Sequence, residues 1–284
     1  MIRDITIGQY YATDSVIHRL DPRVKVVGTL AYLISLFCFN KFSGYIIAAL
    51  FFAILVKISH VPFKFMVKGL KPIMFMLIFT AALNLFWTPG EVVLVKAWVF
   101  TITLEGVKRS VFMALRLTFL IIGSSLMTLT TTPNQLTDAL EKLLKPLNKI
   151  KVPVHEIAMM MSIALRFIPI LVDETDKIMK AQMARGADFE SGNVIQRIKA
   201  MLPILIPLFI SAARRANDLA LAMDARCYHG GEGRTKMKPL KYKKQDVIAY
   251  LTVAAYAVVL GVVVKFSVCL LYTSPSPRDT ERSR

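Results

Sequence analysis

The stretch Val111–Leu129 reads VFMALRLTFLIIGSSLMTL, and Arg116 is its only charged residue. An α-helix of that length advances about 28 Å, close to the roughly 30 Å hydrocarbon core of a bilayer. In lipid every backbone N–H and C=O must be satisfied within the segment, so a helix is the natural form of such a run. Four further stretches share the character: Val24–Phe39, Gly44–Val56, Pro72–Trp87 and Val247–Val264. The first two are short and borrow flanking residues, with Asn40–Ser43 as a tight turn between them. The sequence therefore predicts an all-α integral membrane protein with about five transmembrane helices.

Composition agrees. Of 284 residues, 55% are hydrophobic, against about 45–50% in an ordinary soluble domain. The mean hydropathy is +0.53 and the net charge is +17. These two facts reconcile because the charges are segregated from the apolar runs. Basic residues flanking such runs point to the cytoplasmic face of a membrane, where Lys and Arg are retained. No basic patch interleaved with aromatics is present, so no nucleic-acid partner is expected. Cys38, Cys227 and Cys269 are scattered, as are His18, His60, His155 and His229. A structural zinc site needs about four clustered ligands, so neither a metal site nor a disulfide framework is expected. The polar opening, with Arg3, Asp4, Asp14, His18, Arg19 and Asp21, does not read as a cleavable signal.

Orientation follows from the basic residues. The N-terminal segment carries Arg3, Arg19, Arg23 and Lys25, and the loop after the second span carries Lys57, Lys64, Lys68 and Lys71. Both are placed inside the cell. Thr88–Ser110 would then lie outside, although Lys96, Lys108 and Arg109 run against the rule. About half of all basic residues fall between Thr132 and Lys244, which reads as a cytoplasmic helical domain inserted before the last span. The domains expected are an N-terminal membrane domain (1–131), the cytoplasmic domain (132–244), a final transmembrane helix (245–265) and a Pro/Ser-rich tail (266–284) that is disordered or foreign to the native chain.

The middle domain reads as three helical regions. Thr132-Pro133-Asn134-Gln135 is a capping box with proline at the first helical position. Leu136, Leu140, Leu143, Leu144 and Leu147 then recur at helical spacing opposite Asp138, Glu141, Lys142 and Lys145, and the helix ends near Pro146. A second helix runs from about Val154 to Arg185, with an apolar Met-rich first half, a charged second half and an expected kink at Pro169. At about 1.5 Å per residue it reaches about 47 Å, longer than a membrane core, so it leaves the bilayer midway. The third, from about Val194 to Arg226, is interrupted at Pro203 and Pro207.

Two of these helices end alike. Ala181-Gln182-Met183-Ala184-Arg185-Gly186 closes the second, and Ala222-Met223-Asp224-Ala225-Arg226-Cys227 closes the third. One reading is capping: a last-turn arginine gains about 0.3–1 kcal/mol from the helix dipole, and Gly186 suits the left-handed position after a helix. The other is docking, because arginine offers a planar, permanently charged fork to a partner's carboxylate.

Leu165-Arg166-Phe167-Ile168-Pro169-Ile170-Leu171, Glu174, Ala181-Gln182 and Ala184-Arg185-Gly186 resemble the signature of the transmembrane T component of energy-coupling factor (ECF) importers. Ala225-Arg226 resembles that family's second Ala-Arg-Gly motif, with Cys227 where glycine is commoner. Ser15-Val16-Ile17-His18-Arg19-Leu20-Asp21-Pro22-Arg23-Val24-Lys25 resembles its opening, and the likeness covers about residues 8–264. The resemblance implies a non-catalytic coupling subunit in a prokaryotic cell membrane. Its partners would be two ABC-type ATPases and a membrane-embedded S component that binds a vitamin or metal ion. The middle domain would be the coupling domain, and Ala184, Arg185, Gly186, Ala225, Arg226 and Cys227 would dock on the ATPases. No Walker sequence is present, so ATP and Mg would be held by those partners and no cofactor by this chain.

Two other readings exist. A self-contained secondary transporter or channel places ionisable groups at mid-membrane, and the candidates here are Arg116 and Asn84. An intramembrane enzyme is suggested by His155 and Glu156, but the HExxH pattern fails because position 159 is Met.

Overall fold

The computed structural model describes residues 10–39, 42–88, 93–97, 100–187, 189, 193–231, 237 and 239–272. The chain is helical: α1 (Val16–Arg19), α2 (Pro22–Ser35), α3 (Phe42–Ser59), α4 (Phe63–Lys68), α5 (Met74–Trp87), α6 (Leu104–Thr130), α7 (Pro133–Leu144), α8 (Val154–Ala184), α9 (Val194–Ala225) and α10 (Lys244–Tyr272). Among the described residues, five helical stretches are long and apolar enough to cross a membrane: Phe42–Ser59, Phe63–Trp87, Leu104–Thr130, Val154–Ala184 and Lys244–Val263. The chain is a multi-pass membrane protein.

The spans are not all the expected ones. α2 has only 14 residues, about 21 Å of helix. Its end tightens into i→i+3 turns, with Phe37 N–H donating to Ile34 and Cys38 N–H to Ser35, both at 3.0 Å. The place of Val24–Phe39 among the five is taken by α8. α6 starts at Leu104, earlier than expected, because Thr103 caps it by accepting from Gly106 N–H at 3.0 Å. Just before it, Val93–Ala97 (β1) and Phe100–Thr103 (β2) form an antiparallel hairpin in what read as plain loop. α10 runs on to Tyr272, past the expected end at Val264, because the residues that follow are still apolar. α8 and α9 pass through Pro169, Pro203 and Pro207 without a break. Each proline removes one N–H from the ladder but leaves the bonds on either side. Asn40 and Lys41 of the expected turn, and 273–284 of the expected tail, lie outside the described residues.

The described residues divide into two compact units. One comprises residues 10–132 with 240–272, the other residues 133–239.

The first unit packs around aromatic side chains. Tyr32 of α2 and Leu36 just after it, Tyr45, Ala48 and Phe52 of α3, Met66 of α4, Ile122 and Leu126 of α6, and Tyr256 and Leu260 of α10 belong to its buried core. Phe51 stacks on Tyr256 with ring centroids 4.2 Å apart. α2 and α6 approach closely where a Cβ on Gly123 would come within 2.7 Å of the Tyr32 ring. The outward faces carry Leu50, Phe75, Leu251 and Val258, all exposed. In water such continuous apolar faces would be costly, whereas in lipid they are solvated.

The second unit is the α7–α8–α9 assembly. His155 at the start of α8 lies 3.0 Å from Glu141 of α7. Ser211 of α9 donates its hydroxyl to Glu174 of α8, and Arg215 reaches the same carboxylate at 2.9 Å.

Candidate functional site

The two arginine motifs have the same backbone geometry. After α8, Gly186 N–H donates to Met183 C=O and Ala187 N–H to Gln182 C=O, both at 3.0 Å. After α9, Cys227 N–H donates to Asp224 C=O at 2.9 Å and Tyr228 N–H to Met223 C=O at 3.1 Å. Each is a complete Schellman cap, in which two orphan carbonyls of the last turn are satisfied. The residue after each arginine is left-handed, with φ +86° at Gly186 and +54° at Cys227. Glycine takes that conformation freely and cysteine does not. The repeat read in the sequence is thus a repeat in conformation, kept at the second helix despite its departure from glycine.

Capping is done by the backbone, which frees the side chains. Ala184, Arg185, Gly186, Ala225, Arg226 and Cys227 are all exposed. Among the described residues, neither Arg185 nor Arg226 has an ion-pair partner. Two forked cations therefore project from the ends of two paired helices. Gln182, in the first motif, donates its amide to Pro203 C=O of α9 at 3.3 Å. Between the two helices, Phe167 and Leu171 face Ala216, Leu219 and Ala220 across an apolar cavity of about 270 Å³.

A second polar assembly, at the start of α2, has a chemistry that the spacing of its residues did not reveal. Asp21 caps α2, accepting from Arg23 N–H at 2.9 Å and pairing with the Arg23 guanidinium at 3.0 Å. Asp21 N–H donates to Asp246 Oδ1 at 2.8 Å, and Lys243 N–H donates to Asp246 Oδ2 at 2.6 Å. Asp246 is therefore the third residue of α10 reaching back to its own cap, and also serves the cap of α2. Lys25 Nζ donates to Thr130 C=O at 2.8 Å and to His18 C=O at 3.2 Å. Arg23 donates to Leu240 C=O at 3.1 Å and lies 4.1 Å over the Tyr242 ring. Asp21, Lys25 and Asp246 are 7%, 8% and 1% exposed. Ser15–Lys25 stood out in the sequence as a motif; Asp246, at the far end of the chain, carried no signal.

His18 belongs to the same knot. Its Nε2 donates to Tyr11 C=O at 3.0 Å, so Nδ1 accepts from the Ser15 hydroxyl at 2.7 Å. Burial, and then the Lys25 ammonium, push its pKa below the usual value.

The polar groups of the two other readings have structural partners. Arg116 donates to Tyr45 Oη and to Phe39 C=O, each at 3.2 Å. Asn84 donates to Thr80 C=O of its own helix at 2.8 Å. His155 faces Glu141 as described, and Gly231 packs against its ring.

A chain of apolar spans, with two paired helices ending in equivalent arginine caps, is of the class of multi-pass membrane proteins. The cobalt transport protein family, CbiQ, matches residues 13–237. The energy-coupling factor transporter transmembrane protein EcfT of Clostridium kluyveri is 59% identical over 252 residues, covering 88% of this chain and 93% of its own length. That of Ruminiclostridium cellulolyticum is 57% identical over 249 residues, covering 87% and 92%. That of Bacillus subtilis is 45% identical over 260 residues, covering 92% and 98%. The chain belongs to the CbiQ/EcfT family of energy-coupling factor transporter transmembrane components.

Proposed function

We propose that this chain is the coupling subunit of an ECF-type ABC importer, and that Arg185 and Arg226 are its two docking points. Each arginine enters a groove on one of two ATPase subunits and pairs there with a carboxylate. ATP and Mg are bound by those ATPases. When they close, the ends of α8 and α9 move with them, and the motion reorients a membrane-embedded S component that carries a vitamin or metal ion. In this reading the arginine ends of α8 and α9 face the cytoplasm.

The observation that supports it best is the equivalence of the two caps. A helix needs only its backbone and a left-handed residue to close in this way. Two exposed arginines at the same position, neither used by the cap, are explained by a partner that reads both. Purification of the full chain from its native membrane in mild detergent, followed by mass spectrometry, tests the reading. Two ABC-type ATPases and a small membrane protein are expected in the eluate. Recovery of the chain without ATPases counts against it.

A further inference from the structure

Residues 133–239 are joined to the rest of the chain at two points, Thr132 and Leu240. Both points lie within reach of one short segment. Lys25 holds Thr130 C=O, where α6 ends and the chain departs, and Arg23 holds Leu240 C=O, where it returns. Asp246 then ties α10, which follows the return, to the cap of α2 through Asp21 N–H. The first turn of α2 thus grips both the outgoing and the incoming strand.

The chemistry of the grip is unusual for a mere helix start. Two carboxylates and an ammonium are buried, and burial of charge is unfavourable unless each group is well paired. Asp246 is satisfied by backbone N–H groups at two helix N-termini, where the helix dipoles also favour a negative charge. Lys25 spends its hydrogen bonds on main-chain carbonyls. Such bonds fix backbone positions, whereas side-chain pairs between long residues leave slack.

We infer that Asp246, Asp21 and Lys25 are positioning residues for energy coupling: they hold the two attachment points of residues 133–239 on one rigid base, so that movement of those residues is delivered to the membrane helices. This rests on the coupling function proposed above. A force applied at the ends of α8 and α9 does work on the spans only if the attachment points do not yield. When the knot is loosened, the ATPases still bind and still hydrolyse ATP, but the movement is absorbed at the attachment points.

The test uses the full chain co-purified with its ATPases, in a background lacking Cys38, Cys227 and Cys269. Nitroxides are placed at Lys57→Cys and Lys180→Cys, both exposed positions, and the distance between them is measured by pulsed electron resonance with and without ATP and Mg. The expected result is an ATP-driven shift in the parent that is lost or broadened in Asp246→Ala and Lys25→Met, with ATPase recovery and ATP hydrolysis retained. Asp246→Asn, which keeps one of the two acceptor oxygens, is expected to fall between. Lys25→Arg is expected to restore the shift. If Asp246→Ala and Asp246→Asn keep the parent's full shift, the inference is overturned while the coupling function stands. If the shift declines only in step with ATPase recovery, the knot is merely structural and the inference is likewise overturned. If the parent itself recovers no ATPase, the coupling function falls and the inference with it.

Discussion

Gln182 donates its side-chain amide to the main-chain carbonyl of Pro203, at 3.3 Å, across the α8–α9 pair. That carbonyl would normally accept from the N–H four residues on, but residue 207 is proline and has none. The gap made by one proline in α9 is filled from the arginine motif of α8. Gln182→Leu is expected to weaken this tie, with a cost near the roughly 0.5–1.5 kcal/mol of an ordinary hydrogen bond. Thermal unfolding of the purified chain would read it as a small drop in midpoint.

The docking role proposed for the arginines makes a sharper prediction. Removing one partner of a buried charge pair costs about 3–5 kcal/mol, whereas an exposed pair contributes about 0–1 kcal/mol. Arg185→Ala and Arg226→Ala are each expected to reduce ATPase co-purification strongly while membrane insertion and thermal midpoint stay unchanged. Arg→Lys should restore it only in part, because lysine lacks the fork. Lys180, exposed on the same helix, is the control. Full ATPase recovery in both alanine variants would leave helix capping as the motifs' only role.

The left-handed positions separate capping from docking. A Cβ on Gly186 would meet nothing within 4 Å, so Gly186→Ala is opposed by backbone conformation alone. The expected cost is about 1–2 kcal/mol. Cys227→Gly relieves the same strain but makes the unfolded chain more flexible, so a gain of at most about 1 kcal/mol is expected. Opposite shifts in midpoint on exchanging these two residues would confirm that both caps work alike.

Acid should loosen the knot at the start of α2. The His18 pKa lies below that of the unfolded chain, about 6.5. The folded state therefore binds fewer protons between the two values. The contribution of His18 to stability is present in full above about pH 6.5 and is lost as pH falls through the folded value. Midpoints of the parent measured from pH 8 to pH 5 should show this decline, and His18→Gln should lack it. An equal slope in both would locate the acid sensitivity elsewhere.

Much of this was legible in the sequence. α8 and α9 lie within a residue of their expected ends, because Met-rich apolar runs and arginine-small termini mark both boundaries. The cap equivalence was readable from the paired Ala-Arg steps. What could not be read depends on partners distant in sequence. Asp246 looks like any first-turn acid of a helix, and only folding brings it to Asp21. α2 read as a span because its composition continues past Ser35, whereas tertiary packing turns the chain there. The prolines of α9 read as breaks because local rules count the lost N–H, while α9 keeps its remaining ladder and one vacated carbonyl gains a donor from α8.

The prolines also make the two arms mechanically unequal. α8 lacks one rung of its hydrogen-bond ladder, at Pro169, and α9 lacks two, one turn apart, at Pro203 and Pro207. Missing rungs are where helices bend under load. With identical handles at their tips, the arms would answer an equal pull differently, α8 as the stiffer lever and α9 as the spring. In the coupling function proposed above, a symmetric stroke from a pair of ATPases would then leave this chain as a directed twist.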